Sequence, residues 1–309
     1  MRDLLSGRGL SEVVTNGLIA PADHARLGHA ETDPGTIRVA NPVTVDHSEL
    51  RRSVLPGLLS VLARNERQRC FDVAIFECAN LHEWHDGQPQ ETRVLAMLLA
   101  GNWRPQSWAE PAHAAGIDDL KGLIEVLASR LHLGGIGYRA KEVRAGIEHP
   151  GRSALIIAER DGTEVVLGLV FEVDPRLVAA YDVRAEHVAF AILEFGAVRS
   201  LAPATAPQVR AIDRLPVEER DLAVIVDRTV PSGQVAAVIR ASAGPNLAGL
   251  TLFDRYQGPP LEAGQVSLAH RLRFQPTDEP LSDAAIEAAV AAITAALARE
   301  VGGRIRSGS

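Results

Sequence analysis

The chain has 309 residues, 46% of them apolar, two cysteines and a formal net charge of −7 at pH 7. That length and apolar content exclude a disordered chain and exceed one ordinary domain, so two packed domains are expected. The negative balance excludes a protein that coats nucleic acid by bulk charge, and two cysteines are too few for a disulfide framework, which fits a reducing, cytoplasmic compartment.

Residues 2–9 read as a helix and 12–19 as a strand, because the apolar spacing changes there from helical to a short β-rich run. A loop with Pro21 and Pro34 follows. Leu55, Leu58, Leu59 and Leu62 recur at helical spacing, with Ser53 placed to cap and Pro56 in the first turn. This amphipathic helix is expected to carry an arginine-rich outer face. Residues 71–78 read as a strand and 93–100 as another, apolar throughout and therefore central in its sheet. Leu120, Ile124, Leu127 and Leu131 mark a helix over 117–133, stopped by Gly134 and Gly135. Strands are expected at 154–159, 164–172 and 187–195, the first two joined by a turn at Asp161-Gly162.

The aperiodic, proline-bearing stretch at 201–209 separates a first domain, 1–200, from a second, 210–309. In the second, strand 221–227, helix 232–243, strands 247–256 and 266–274, helix 282–301 and a short strand 304–307 spell βαββαβ, the ferredoxin-like order. Ser232 and Ser282 are placed to cap the two helices, and Asp283 suits the first turn of the second. The fold class is α+β. No run approaches the roughly 18 apolar residues of a membrane span, and residues 1–10 have no apolar signal core.

Three passages of the second domain, RLPVEERDLAVIVDRTVPSGQV at 214–235, LFDRYQGPPLEAGQVSLAHRLRF at 252–274 and EPLSDAAIEAAVAAI at 279–293, resemble one family. It is the ferredoxin-fold anticodon-binding domain of bacterial phenylalanyl-tRNA synthetase β subunits. Upstream, ELRRSVLPGLLSVLARNERQRCFDVAIFE at 49–77, HPGRSA at 149–154 and VDPRLVAAYDV at 173–183 resemble the class II synthetase-like core of the same subunit. The resemblance covers essentially the whole chain and places it in the carboxy-terminal half of a much longer subunit. It implies a mixed α/β domain with an antiparallel sheet before the ferredoxin-like one. It also implies two partners, the α subunit of phenylalanine–tRNA ligase and tRNA-Phe. ATP and Mg2+ are expected in the full ligase complex and no cofactor in this chain. The chain departs from the family pattern at Leu215, where a phenylalanine is usual, and at Arg255, in a usually apolar slot.

A working class II site needs an arginine on a strand to hold the ATP α-phosphate. Here the comparable strand, FDVAIFE, has only Asp72 and Glu77 as charges, and FGAVRSLAP offers Arg199 without a glycine-rich helix entry. No catalytic residue is therefore expected, and the chain alone should be inactive. Cys70, Cys78, His82 and His85 lack metal-site spacing, so buried cysteines and a solvated HEWH turn are expected instead. The amphipathic helix at 54–67 is the expected contributor to an α-subunit interface.

Period-two geometry on 266–274 puts Leu268, His270, Leu272 and Phe274 on one face and Ser267, Ala269, Arg271 and Arg273 on the other. The first face should pack on the two helices. The second should be open, where arginines and an aromatic ring can fork phosphates and stack unpaired bases. With Asp254 and Tyr256 on the neighbouring strand and Arg220 at the entry of the first, the expected RNA-binding set is Arg220, Asp254, Tyr256, Ser267, Arg271 and Arg273. The competing reading is a stand-alone RNA-binding or protein-interaction module without ligase activity.

Overall fold

The computed structural model describes residues 1–160, 162–203, 215–276 and 279–306. The chain divides into two compact units, Met1–Pro207 and Gln208–Ser309. The expected linker at 201–209 lies mostly outside the described residues, as does Asp161 of the expected turn.

The first unit contains α1 (Arg2–Ser6), β1 (Ser11–Glu12), β2 (Leu18–Ile19), α2 (Pro21–Arg26), β3 (Glu49–Leu50), α3 (Leu55–Arg67), β4 (Val73–His85), β5 (Gln88–Ala100), β6 (Asn102–Arg104) and β7 (His113–Ala114). It continues with α4 (Ile117–Leu131), β8 (Ile136–Ala140), β9 (Glu148–Arg160), β10 (Thr163–Val173), α5 (Pro175–Ala180), β11 (Val188–Glu194) and α6 (Phe195–Leu201). Seven strands form one sheet in the order β1-β4-β5-β11-β10-β9-β8. Only the short β1 runs parallel to its neighbour; the other pairs are antiparallel.

The apolar run at the end of β5 is explained by burial on both faces. Val94, Ala96, Leu98 and Ala100 join the core under α3, while Leu95, Met97 and Leu99 join the core under α1, α4 and α6. Leu55, Leu58, Leu59 and Leu62 spend the apolar stripe of α3 on that first core, leaving Ser60, Arg64 and Arg67 outward. The helix therefore has no spare apolar face for an α subunit. Its arginine-rich surround is also partly internal: Arg51 is buried. Ser53 does not hold the cap position: Val54 does, without a side-chain cap bond, and the Ser53 hydroxyl one residue earlier accepts from the Leu55 amide at 3.2 Å.

Several local expectations differ. The expected strand at 12–19 is two separate two-residue strands, β1 and β2, because the intervening Thr15 turns inward to Glu77. The HEWH segment is the end of β4, not a turn; the reversal comes at Asp86 and Gly87, both with positive φ, as a tight hairpin requires. Cys70 is exposed and Cys78 half-buried, so neither is the buried thiol expected.

The second unit is β12 (Glu218–Asp227), α7 (Ser232–Ser242), β13 (Leu247–Tyr256), β14 (Gln265–Phe274), α8 (Asp283–Val301) and β15 (Arg304–Ile305). Its four strands lie in the order β13-β14-β12-β15, all antiparallel, which is the ferredoxin-like sheet. Leu222, Val224 and Val226 of β12 and Leu268, Leu272 and Phe274 of β14 pack against Val235, Val238 and Ile239 of α7 and Ile286, Ile293 and Leu297 of α8. Ser282 caps α8 through its hydroxyl, accepting from the Ala285 amide, a contact worth about 1 kcal/mol. Ser232 does not cap α7: Pro231 holds the cap position without a side-chain bond.

Candidate nucleic-acid interface

Both helices lie on one side, and among the described residues no helix of this unit lies on the other side of the four-stranded sheet. The register fixes what stands there. Across one row Ser267 is paired with Ile225 on β12 and Tyr256 on β13, and Ile225 in turn with Arg304 on β15. Further along, Ala269 pairs with Asp254, and Arg271 with Asp221 and Thr251, while Arg273 pairs with Glu219 and Gly249. Tyr256 is 38% exposed. Its hydroxyl donates to the Pro259 carbonyl at 2.7 Å, and the Arg306 guanidinium carbon lies 6.0 Å from its ring centroid. The hydroxyl is thus occupied in tying down the following loop, and the partly exposed ring is the part left to meet a ligand.

The two arginines of β14 are not equivalent. Arg271 makes a forked pair with Asp221, Nε to Oδ1 and Nη2 to Oδ2 both at 2.8 Å. That fork holds the Asp221 carboxyl below the usual carboxylate range and fixes Arg271 more firmly in its charged form. Arg273 is exposed and, among the described residues, makes no ion pair. Opposite it stands Gly249, where an added Cβ would come within 3.3 Å of the Arg273 Cβ. The glycine lets this arginine lie close over the edge strand.

Two expected site residues are placed differently. Arg220 pairs with Leu272 and so leaves on the helix side of the sheet. There it donates to the Glu219 carbonyl at 2.8 Å and meets Asp283, at the start of α8, at 3.7 Å. It does not share a face with Arg271 and Arg273. Ser267 does lie on the side away from the helices, in register with Ile225 and Tyr256, but it is only 4% exposed. Asp254 is exposed on that face, as expected.

Three residues absent from the expected set stand on this surface. Arg304 and Arg306 come from the last strand and its end, where Arg-Ile-Arg alternates; that alternation was the available signal. Phe253 could not be found from strict alternation. A bulge separates the pairs Leu252–His270 and Asp254–Ala269, and Phe253 is the extra residue. It is 51% exposed, with the Arg271 guanidinium carbon 5.2 Å from its ring centroid.

In the first unit, the strand that would carry a phosphate-binding arginine carries Glu77 instead. Glu77 accepts from Arg51 at 2.9 Å and from the Thr15 hydroxyl at 2.7 Å, while Arg51 also donates to Thr15 and to the Asn80 carbonyl. The Arg51 side chain is 8% exposed and Glu77 1%. This guanidinium is spent inside the fold and does not fit a nucleotide phosphate. Among the described residues no group of three or more His, Cys, Asp or Glu side chains could hold a metal ion, and no helix is long and apolar enough to cross a membrane.

Comparison with known proteins gives two family matches: residues 1–195 match the phenylalanyl tRNA synthetase beta chain CLM domain, and residues 214–306 the ferredoxin-fold anticodon binding domain. The chain is 37% identical over 308 residues to the phenylalanine–tRNA ligase beta subunit of Moorella thermoacetica, covering 99% of this chain and 37% of that protein. It is 32% identical over 310 residues to the subunit of the same name in Xanthomonas axonopodis pv. citri, again covering 99% and 37%. The chain thus spans a little over a third of the length of these curated relatives. Among solved structures, pyrrolysyl-tRNA synthetase from Desulfitobacterium hafniense matches with a TM-score of 0.47 and 14% identity, over 65% of this chain and 64% of that one.

Proposed function

Because this chain belongs to the phenylalanyl-tRNA synthetase β-chain family, we propose that it acts as a non-catalytic part of phenylalanine–tRNA ligase in the cytoplasm. In this reading the chain assembles with an α subunit, which activates phenylalanine with ATP and Mg2+, and binds tRNA-Phe through the open sheet of its second unit. The observation that carries it is the sheet face opposite the two helices, where exposed Tyr256 and Phe253 stand with Arg271, Arg273, Arg304 and Arg306.

The charge count sets how such a face can work. Residues 210–309 hold 11 arginines, no lysine and 12 acidic residues, a difference of −1. Affinity then rests on a few placed groups and not on a general positive field. Unpaired bases stack on aromatic rings and arginine planes, and loop phosphates accept from free guanidinium groups. Tyr256 supplies an aromatic ring and Arg273 a guanidinium without an ion pair among the described residues, with Asp254 within the same patch as an acceptor for base edges. Arg51, buried and held by Glu77, Thr15 and Asn80, supports placing ATP chemistry on the α subunit.

The test is a titration of the tRNA-Phe anticodon stem-loop into the full chain, with Tyr256→Ala and Arg273→Ala as variants. Both should weaken binding while leaving the melting temperature of the first unit unchanged. Equal affinity in both folded variants would remove this face from consideration.

A further inference from the structure

The open face has a second aromatic station that the alternation of β13 does not announce. Phe253 exists on this side only because the bulge inserts it between Leu252 and Asp254. A bulge re-aims a side chain at the cost of a ladder position, and here it leaves a phenylalanine 51% exposed on an edge strand. Its surroundings are ordered. Arg271 donates two hydrogen bonds of 2.8 Å to Asp221, Glu219 stands 3.9 Å from Arg271 Nε, and the guanidinium carbon lies 5.2 Å from the Phe253 centroid. Nε and Nη2 are used by Asp221; among the described residues Nη1 has no hydrogen-bond partner.

We propose that Phe253 and Arg271 form a second stacking station for an unpaired nucleobase of single-stranded RNA, beside the one at Tyr256, with Asp221 as the positioning residue that holds Arg271 in place. The inference rests on the reading of this face as RNA-binding. Three consequences follow from the geometry. The Asp221 fork neutralises Arg271, so the station favours a base over a phosphate. The fork also leaves Nη1 as a directed donor for a base edge. Phe253 and Tyr256, three residues apart on one strand, stand about 10 Å from each other along it, so they serve different nucleotides.

The probe is a synthetic hairpin with the tRNA-Phe anticodon loop, carrying 2-aminopurine at one loop adenine at a time, titrated into the full chain. Wild type should quench at least two loop positions. Phe253→Leu keeps apolar bulk and removes the π face, so it should abolish quenching at one position, leave another intact, and weaken binding by a factor between about 5 and about 150. Tyr256→Ala should abolish quenching at a different position. Asp221→Asn should lower quenching at the Phe253 position yet steepen the salt dependence by about 0.7, because the freed guanidinium can meet a phosphate; a merely structural aspartate would not steepen it. If wild type does not bind the hairpin, the RNA-binding reading of the face fails. If wild type binds and Tyr256→Ala weakens it while Phe253→Leu leaves affinity and quenching unchanged, the second station alone is overturned.

Discussion

Lowering the pH from 7 to 5 should loosen the second unit, through His270. This side chain is 1% exposed on the helix side of β14, between Leu222 on β12 and Leu252 on β13, and neither ring nitrogen has a hydrogen-bond partner among the described residues. Burial pushes its pKa below the ordinary 6.5; the Leu268 backbone pulls the other way, and Arg240 adds to the depression. In the folded state the ring stays neutral, whereas in the unfolded state it gains a proton below about pH 6.5. Stability is therefore fully present above that pH and falls as the pH drops towards the depressed folded value. The slope is at most about 1.4 kcal/mol per pH unit, so 1.5 units below 6.5 remove at most about 2 kcal/mol. His270→Leu fills the site without a titrating group and should abolish the slope while matching or exceeding wild-type stability at pH 7. All three tryptophans, Trp84, Trp103 and Trp108, belong to the first unit, so fluorescence would miss the effect. Native-state hydrogen exchange of peptides from β12 and β14 reads it directly. His24 and His29, also depressed by burial, lie in the first unit and cancel in the comparison. Parallel pH dependence of wild type and variant would refute the assignment to His270.

The other predictions concern binding and the first unit's core. Arg273→Ala should reduce the salt slope of hairpin binding by roughly 0.7, one phosphate contact to a single strand; Arg271→Ala should reduce it less, because Asp221 already neutralises that charge. Tyr256→Ala should cost on the order of 1 to 3 kcal/mol of binding with little change in slope. A matching fall in the second unit's exchange protection would instead assign Tyr256 to anchoring the Pro259 loop. Glu77→Gln leaves the buried Arg51 without its counter-charge, so it should destabilise the first unit by about 3 to 5 kcal/mol; urea unfolding followed by tryptophan emission checks this, and an unshifted midpoint would show that water reaches the pair.

The second unit was largely legible because each local signal agreed with the others. Its strands alternate, α8 begins at a capping serine, and the two amphipathic helices fall between strands in the ferredoxin-like order. In the first unit, the long apolar-periodic elements were legible, whereas α5, α6 and the two-residue strands are too short to establish a period. The candidate site was legible where alternation holds: Arg271, Arg273, Asp254 and Tyr256 share the face expected for them. It failed where long-range register decides. Arg220 is one residue out of phase with Asp221 and emerges among the helices; Phe253 is brought to the open side by a bulge whose partner strand is more than a dozen residues away. Ser267 has the right direction, yet it is buried, which alternation alone does not reveal. The pairing of Arg271 with Asp221, 50 residues apart, is likewise a product of register and decides which arginine is free.

Assembly with an α subunit tests the central claim most directly. The full chain and the α subunit of the same organism are mixed at micromolar concentration and resolved by size, and the fractions are assayed for phenylalanine-dependent ATP–pyrophosphate exchange and for tRNA-Phe binding. The account predicts one complex that contains both chains and binds tRNA-Phe, with exchange present where the α subunit is and absent from this chain alone. Separate elution of the two proteins, or exchange above a denatured control from this chain by itself, would contradict it.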